Sequence, residues 1–377
     1  MANALQMVDL KRQYAKIKEE VKAAMDEVLE TAAFINGPAV GAFGAEMSNY
    51  LGVKHTIPCA NGTDALQIAM MGLGLQPGDE VITPSFTYIA TTEVVALLRL
   101  KPVFVEVDPQ TFCMDPAALE AAITPRTRAI VPVHLYGHTA PMDQILAIAQ
   151  KHHLFVIEDN AQAIGADYYS ASGRQAKTGT LGHIGCTSFF PSKNLGCYGD
   201  GGAIFTNDDA LADKMRMIAN HGQKVRYYHD LVGCNSRLDT LQAAVLRIKL
   251  KHLDEYIAAR RAAADAYDAA FAGVEGITTP YRAPYCKHVF HQYTLVLEDI
   301  NRDALHKHLA SQGIPSMIYY PVPGHRQKMF ESLGLQNVHL PITDWLTERV
   351  ISLPMHTELT PEQQQCIVDA VLQFVKS

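Results

Sequence analysis

The chain has 377 residues, 48% hydrophobic and 19% charged, with a formal net charge of -7. That length and composition fit a globular chain with a core of its own and room for two domains, and the lack of a Lys/Arg-rich stripe argues against nucleic acid as a main partner. No apolar run reaches the ~18 residues of a spanning helix, and the N-terminal "MANALQMVDLKRQY" has no apolar leader segment, so the expectation is neither membrane nor secretion but the cytoplasm.

In chain order, Ile17, Val21, Ala24, Met25, Val28 and Leu29 recur at helical spacing, so an amphipathic helix opens the chain. From about residue 55, short β-rich runs alternate with helical ones. The strands read "HTIPC", "EVITPS", "PVFVEVD", "AIVPVHLYG", "LFVIED", "CTSFF" and "GAIFTN", and helical patterns such as "DALQIAMMGLGL", "DPAALEAAI" and "PMDQILAIAQKHH" lie between several of them. Such alternation predicts an α/β fold with a mostly parallel sheet covered on both faces. The run "NSRLDTLQAAVLRIKLKHLDEYIAARRAAADAYDAAF" holds no glycine or proline and predicts long helix, broken at most once; a domain boundary is placed near residue 255. Beyond it come "FHQYTLVLE", "NRDALHKHLASQG", "PSMIYYPV" and a last helix opened by Thr360, with Gln363 in capping-box spacing. The seven cysteines include no CxxC pair and are expected to be reduced thiols, with no metal site.

Four features share one chemical logic. "ANGTDAL" sets Gly62 and Thr63 at a helix start, where free N–H groups and the dipole favour a phosphate. "EDNAQA" sets Asp159 at the C-terminal end of an apolar strand, the edge at which open α/β sheets bind ligands. Ser188 could add a hydroxyl to the same phosphate. Lys193 is a lone amine in the glycine-rich "TSFFPSKNLGCYGDGGAIF". A phosphate cup, a carboxylate and an amine are what pyridoxal phosphate needs: an anchor, an acid to keep the ring nitrogen protonated and a lysine to bind covalently.

On these motifs, together with "GDEVITPSFTYIAT", "VIEDNAQAIGA" and "GCNSRLDTLQAAVL", the chain resembles the pyridoxal-phosphate-dependent nucleotide-sugar aminotransferases of the DegT/DnrJ/StrS family. The resemblance runs from "VDLKRQYAKIKEEV" to "ISLPMHTELT". It implies a fold-type I (aspartate aminotransferase-like) architecture: a large cofactor-binding domain, residues 1–255, with a mostly parallel seven-stranded sheet and an N-terminal helical segment, then a smaller C-terminal α/β domain, residues 256–377. It makes Lys193 the lysine that carries the cofactor and Asp159 the partner of the pyridine nitrogen. Gln162 is then expected near the phenolic oxygen, Tyr88 stacked on the ring, and Gly62, Thr63 and Ser188 around the phosphate. Asn235 completes the phosphate site of a partner subunit, so the expected unit is a homodimer with shared active sites. Arg237, Tyr319, Tyr320 and His325 are expected on the sugar side.

The implied reaction moves an amino group from L-glutamate to a keto group, most similar to amination at C3 of a UDP-2-acetamido-3-keto sugar such as a 3-oxo-glucuronic acid, for a bacterial surface polysaccharide or lipopolysaccharide. A dTDP-linked 3- or 4-keto-6-deoxy sugar is the alternative substrate. Two departures from the family pattern leave the cofactor chemistry untouched: Tyr319-Tyr320-Pro321, in the sugar site, stands where the family often has His-Tyr-Pro, and Asn160 where alanine is common. Rival readings fare worse. Sugar dehydratases of this fold replace the lysine by histidine, but Lys193 is present; a catalytically silent dimeric partner or regulator would not need the full cofactor set; and "GCYGDGG" is not the GxGxxG of a Rossmann dehydrogenase.

Overall fold

A computed structural model describes residues 5–376. Each of the seven apolar runs folds as a strand: β1 His55–Cys59, β2 Glu80–Pro84, β3 Lys101–Val105, β4 Thr127–Ile130, β5 Phe155–Asp159, β6 Ile184–Ser188 and β7 Gly202–Thr206. They form one sheet in the order β1-β7-β6-β5-β4-β2-β3. Only β7 runs antiparallel to its neighbours; the other pairings are parallel.

The helices are α1 Leu10–Thr31, α2 Pro38–Leu51, α3 Gly62–Leu73, α4 Ala90–Leu97, α5 Pro116–Ala121, α6 Met142–His152, α7 Asp209–Ala219, α8 Thr240–Lys251, α9 Leu253–Phe271, α10 Arg302–Ser311, α11 Pro341–Arg349 and α12 Pro361–Val375. Successive strand residues point to opposite faces, and the packing follows that alternation. Val81, Ala129, Ile157 and Ile204 pack with residues of α3, α4 and α7. Their neighbours Ile82, Ile130 and Val156 pack with α5 and α6, and Ala203 and Phe205 with α2, α8 and α9. Burial on both faces is why these strands read as continuous apolar runs rather than alternating ones.

The glycine-free run breaks once, at His252 (φ -101, ψ 0), which separates α8 from α9. Its first five residues, 235–239, stay outside the helix, and Asn235 forms an isolated bridge with Asn220. A second core gathers the end of α9, β8 (Tyr293–Leu297), β9 (Val350–Leu353), α10 and α12, with Tyr267, Phe271, Tyr293 and Ile367 at 1% exposure or less. The capping box at Thr360 and Gln363 forms in both directions. "PSMIYYPV" makes no strand; Met317 bridges Ser352 and the rest is irregular. Among the described residues, no helix is long and apolar enough to cross a membrane, and no cluster of His, Cys, Asp or Glu could hold a metal.

Candidate active site

The sheet directions bring the sequence motifs to one edge. Strands β1, β5 and β6 end there and the reversed β7 begins there, so Cys59 and Ser188 both register with Gly202. The chain leaving β1 turns at Asn61, whose side chain accepts from the N–H of Asp64 at 2.8 Å and caps α3. Gly62 and Thr63 then open the helix, and a helix start leaves such N–H groups without an intrahelical acceptor. The backbones meet too closely for side chains. A β-carbon on Gly62 would lie 2.7 Å from Ser188 Cβ, and one on Gly202 would lie 2.4 Å from the Asn61 carbonyl carbon. This cup of N–H groups, closed by the Ser188 side chain, can hold a phosphate.

The cup forms part of a cavity of about 480 Å³, lined also by Asp159, Gln162, Lys193, Tyr88, Tyr319 and Tyr320. Asp159 ends β5 and is 6% exposed. Its Oδ2 accepts from the Thr91 hydroxyl at 2.7 Å and its Oδ1 from the Ala161 N–H at 3.1 Å, which fixes the carboxylate plane. The residue before it is anchored from behind: Glu158, fully buried, accepts from the N–H groups of Gly179, Leu181 and Gly182 and from His134 Nε2 at 2.8 Å.

Lys193 is half-buried, in a turn closed by its own N–H donating to the Phe190 carbonyl at 2.8 Å. Burial lowers its amine from the usual 10.5 to about 8, with the negative charge of Asp159 acting in the opposite direction. Gln162 accepts from the Tyr136 N–H at 2.7 Å and donates to the Tyr320 hydroxyl at 2.9 Å. Burial pushes the Tyr320 phenol well above its usual value, so it stays a neutral hydroxyl. Tyr88 is 57% exposed, with its ring 6.1 Å from that of Tyr320 and open to solvent.

Three of the named residues do not line this cavity, Asn235 being the one expected to serve a partner subunit's cavity rather than its own. Asn235 is exposed, and Arg237 lines a different cleft, of about 670 Å³, with Asn36, Lys54 and Arg216. His325 does not line the cavity and is wholly buried. Its Nδ1 lies 2.7 Å from the Ser85 hydroxyl and its Nε2 3.3 Å from Asp344, so the ring ties the loop after β2 to α11 instead of facing a sugar. Conversely, Thr91, His291, Gln292 and Asp200 belong to the site or its support, although the motifs did not single them out. Thr91 was within reach of sequence reasoning, since it sits one helical turn beyond Tyr88 in "SFTYIAT". His291 and Gln292 sit just before β8 and carry no comparable signal.

Comparison with known proteins matches this architecture over nearly its whole length. The profile of the DegT/DnrJ/EryC1/StrS aminotransferase family matches residues 15–372. A "pleiotropic regulatory protein" of Geobacillus stearothermophilus is 47% identical over 98% of this chain and 98% of its own. The UDP-2-acetamido-2-deoxy-3-oxo-D-glucuronate aminotransferase of Pseudomonas aeruginosa is 49% identical over 94% of this chain and 96% of its own. Among solved structures, NtdA of Bacillus subtilis with bound cofactor PMP superposes with a TM-score of 0.92 at 32% identity, covering 100% of this chain and 86% of NtdA.

Proposed function

This chain belongs to the DegT/DnrJ/EryC1/StrS aminotransferase family, and on that premise we propose that it uses pyridoxal phosphate to move an amino group from L-glutamate to C3 of a UDP-2-acetamido-3-keto sugar. The observation that carries this reading is the convergence, in one cavity, of the Lys193 amine, the buried Asp159 carboxylate and the Gly62–Ser188 cup. These residues fit the cofactor. Its phosphate would take the N–H groups of Gly62 and Thr63 and the Ser188 hydroxyl, in a space that a β-carbon on Gly62 would close. Its ring nitrogen would meet Asp159.

When bound, pyridoxal phosphate supplies an electron sink that makes a proton on the amino donor's α-carbon removable. The chain's residues do the rest. Asp159 holds a proton on the ring nitrogen by placing a fixed negative charge beside it, and Thr91 keeps that carboxylate oriented. Lys193 Nζ anchors the cofactor and, once released, takes the α-proton and returns it on the far side of the transfer. Gln162 aligns Tyr320 against the same cavity wall. The Tyr88 ring, open to solvent, would cover the cofactor.

The substrates carry carboxylates and a diphosphate, yet Lys193 is the only Lys or Arg among the described residues lining the cavity. A second copy would supply the missing charge. Asn235 and Arg237 lie outside their own cavity and would complete the partner's, in a homodimer with shared active sites. We divide the chain near residue 255, in the first turn of α9, the helix that packs on the first core through Leu253 and Ile257 and joins the second core from Ala263 onward. The free thiols fit a reducing compartment, and we assign the enzyme to the cytoplasm. In the Pseudomonas aeruginosa relative the sugar named is a 3-oxo-glucuronate, and the same chemistry is assigned here.

The test is a panel of keto-sugars, UDP- and dTDP-linked, uronic and neutral, each supplied with L-glutamate. The expected product carries its new amine at C3 of a UDP-2-acetamido sugar, read by NMR. Transfer confined to dTDP-linked or 4-keto sugars would refute the assignment.

Two further outcomes follow from the geometry. Gly62→Val should weaken pyridoxal phosphate binding at least about tenfold, because its side chain displaces either the helix start or Ser188; equilibrium titration measures it, and wild-type affinity would contradict it. The second concerns pH. Only a neutral amine captures the cofactor, and the Lys193 amine is lowered to about 8. Below that pH the neutral fraction falls about tenfold per unit, so the capture rate should climb with pH and level off above about 8, followed by stopped-flow absorbance. A rate that goes on climbing towards the ordinary lysine value would show that burial does not tune this amine.

A further inference from the structure

Lys249, on the last turn of α8, is 1% exposed and has no carboxylate partner among the described residues. Its ammonium donates to the carbonyl of Gly196 at 2.6 Å and lies 5.4 Å from the centroid of the Tyr198 ring. Burial is the main cause that lowers it to about 8, and the nearby Arg260 guanidinium lowers it further. Arg260, on α9, is likewise buried, and its hydrogen bonds go to the carbonyls of Phe290, His291 and Met355. A buried charge without an opposite partner is costly, and an apolar side chain of similar volume would fill the space at no such cost. What the charge provides is a strong, charge-assisted bond to one carbonyl.

That carbonyl belongs to the turn that presents Lys193. A β-carbon on Gly196 would lie 2.4 Å from the Pro191 carbonyl oxygen and 2.7 Å from that of Phe190, so the backbone of Gly196 rests directly on the start of the turn. The same Phe190 oxygen accepts the Lys193 N–H. Gln242, also on α8, accepts from the Tyr198 N–H at 2.8 Å and fixes the loop two residues on. Movement of Gly196 is therefore passed to Phe190 and from there to Lys193.

We propose that Lys249 is a positioning residue for Lys193, holding the Gly196 carbonyl so that the Lys193 amine keeps its place opposite Asp159. The proposal rests on the reading of Lys193 as the lysine that carries pyridoxal phosphate. Lys249 touches neither substrate nor cofactor.

The test compares Lys249→Met with wild type and with Lys251→Met, a change of an exposed lysine on the same helix. Three quantities are read: thermal stability, cofactor content after borohydride reduction, and the glutamate half-reaction. Lys249→Met should stay folded with an almost unchanged thermal transition, since the lost bond is offset by the removal of a buried charge. It should bind pyridoxal phosphate, but with a slower covalent capture and an altered pH midpoint of its visible absorbance band. The half-reaction rate should fall about 100-fold, the scale of an ångström of misplacement, with the glutamate KM within about threefold of wild type. Lys251→Met should match wild type.

A half-reaction rate within about threefold of wild type for Lys249→Met overturns the proposal. So does a loss of rate matched by loss of stability and cofactor content, which would mark a purely structural residue. Should Lys249→Met not yield folded protein, the same readouts on Lys249→Gln decide by the same criteria. A wild type without a cofactor band would instead sink the underlying reading of Lys193, so the two failures are distinguishable.

Discussion

Lys193→Ala is expected to lose at least about four orders of magnitude in turnover while remaining folded and still binding pyridoxal phosphate non-covalently. The loss is large because one amine has two tasks, anchoring the cofactor and carrying the proton between the two carbon centres. Among the described residues of this chain that line the cavity, Lys193 is the only Lys or Arg, so none of them offers a second amine for covalent capture. Folding should not suffer. Burial disfavours the charged amine, lowering it to about 8, so removing it relieves a desolvation cost rather than breaking a strong contact. The cup is built from backbone and from Ser188, and it survives the substitution. Measured 2-oxoglutarate formation gives the loss, and an unchanged thermal transition shows that it is chemical. Turnover within about tenfold of wild type would rule out the assigned role.

The second large effect is at Asp159. Asp159→Asn keeps the size of the side chain and one acceptor oxygen for the Ala161 N–H, while the Thr91 hydroxyl can accept from the new amide nitrogen instead of donating, but it removes the charge. Without that charge the ring nitrogen loses its proton and the electron sink weakens. A loss of about 100- to 1000-fold in the half-reaction is expected, with stability close to wild type. A cofactor methylated on the ring nitrogen carries a permanent positive charge and should recover much of the rate in the variant. If it restores nothing, Asp159 acts through something other than ring protonation.

Much of this site was legible in the sequence because its chemistry lies in short local signals. The apolar runs marked all seven strands of the main sheet, and the strand ends marked where Asp159 and Ser188 would emerge. The glycines of "GCYGDGGAIF" now have specific tasks at two positions: Gly196 rests on Pro191, and Gly202 passes against Asn61. What stayed hidden depends on contacts between distant segments. His325 packs against Ser85, and nothing in "GHRQ" reports that pairing. His291 enters the cavity from the segment before β8, whereas Thr91, which reaches Asp159 at the end of β5 from the first turn of α4, was within reach through its spacing from Tyr88. The break at His252 was invisible because no glycine or proline marks it. The helix start at Thr240 lay five residues into the run, just after Asp239, and no glycine or proline marks it.

The role given to Lys193 stands or falls on where the cofactor attaches. The purified wild type is loaded with pyridoxal phosphate, reduced with borohydride, digested and sequenced by mass spectrometry. One modified lysine is expected, Lys193, in the peptide containing "FFPSKNLGCYGDGG", with loss of the modification when L-glutamate is added before reduction. A protein that takes up no pyridoxal phosphate, or carries it on another lysine, would contradict the role given to Lys193.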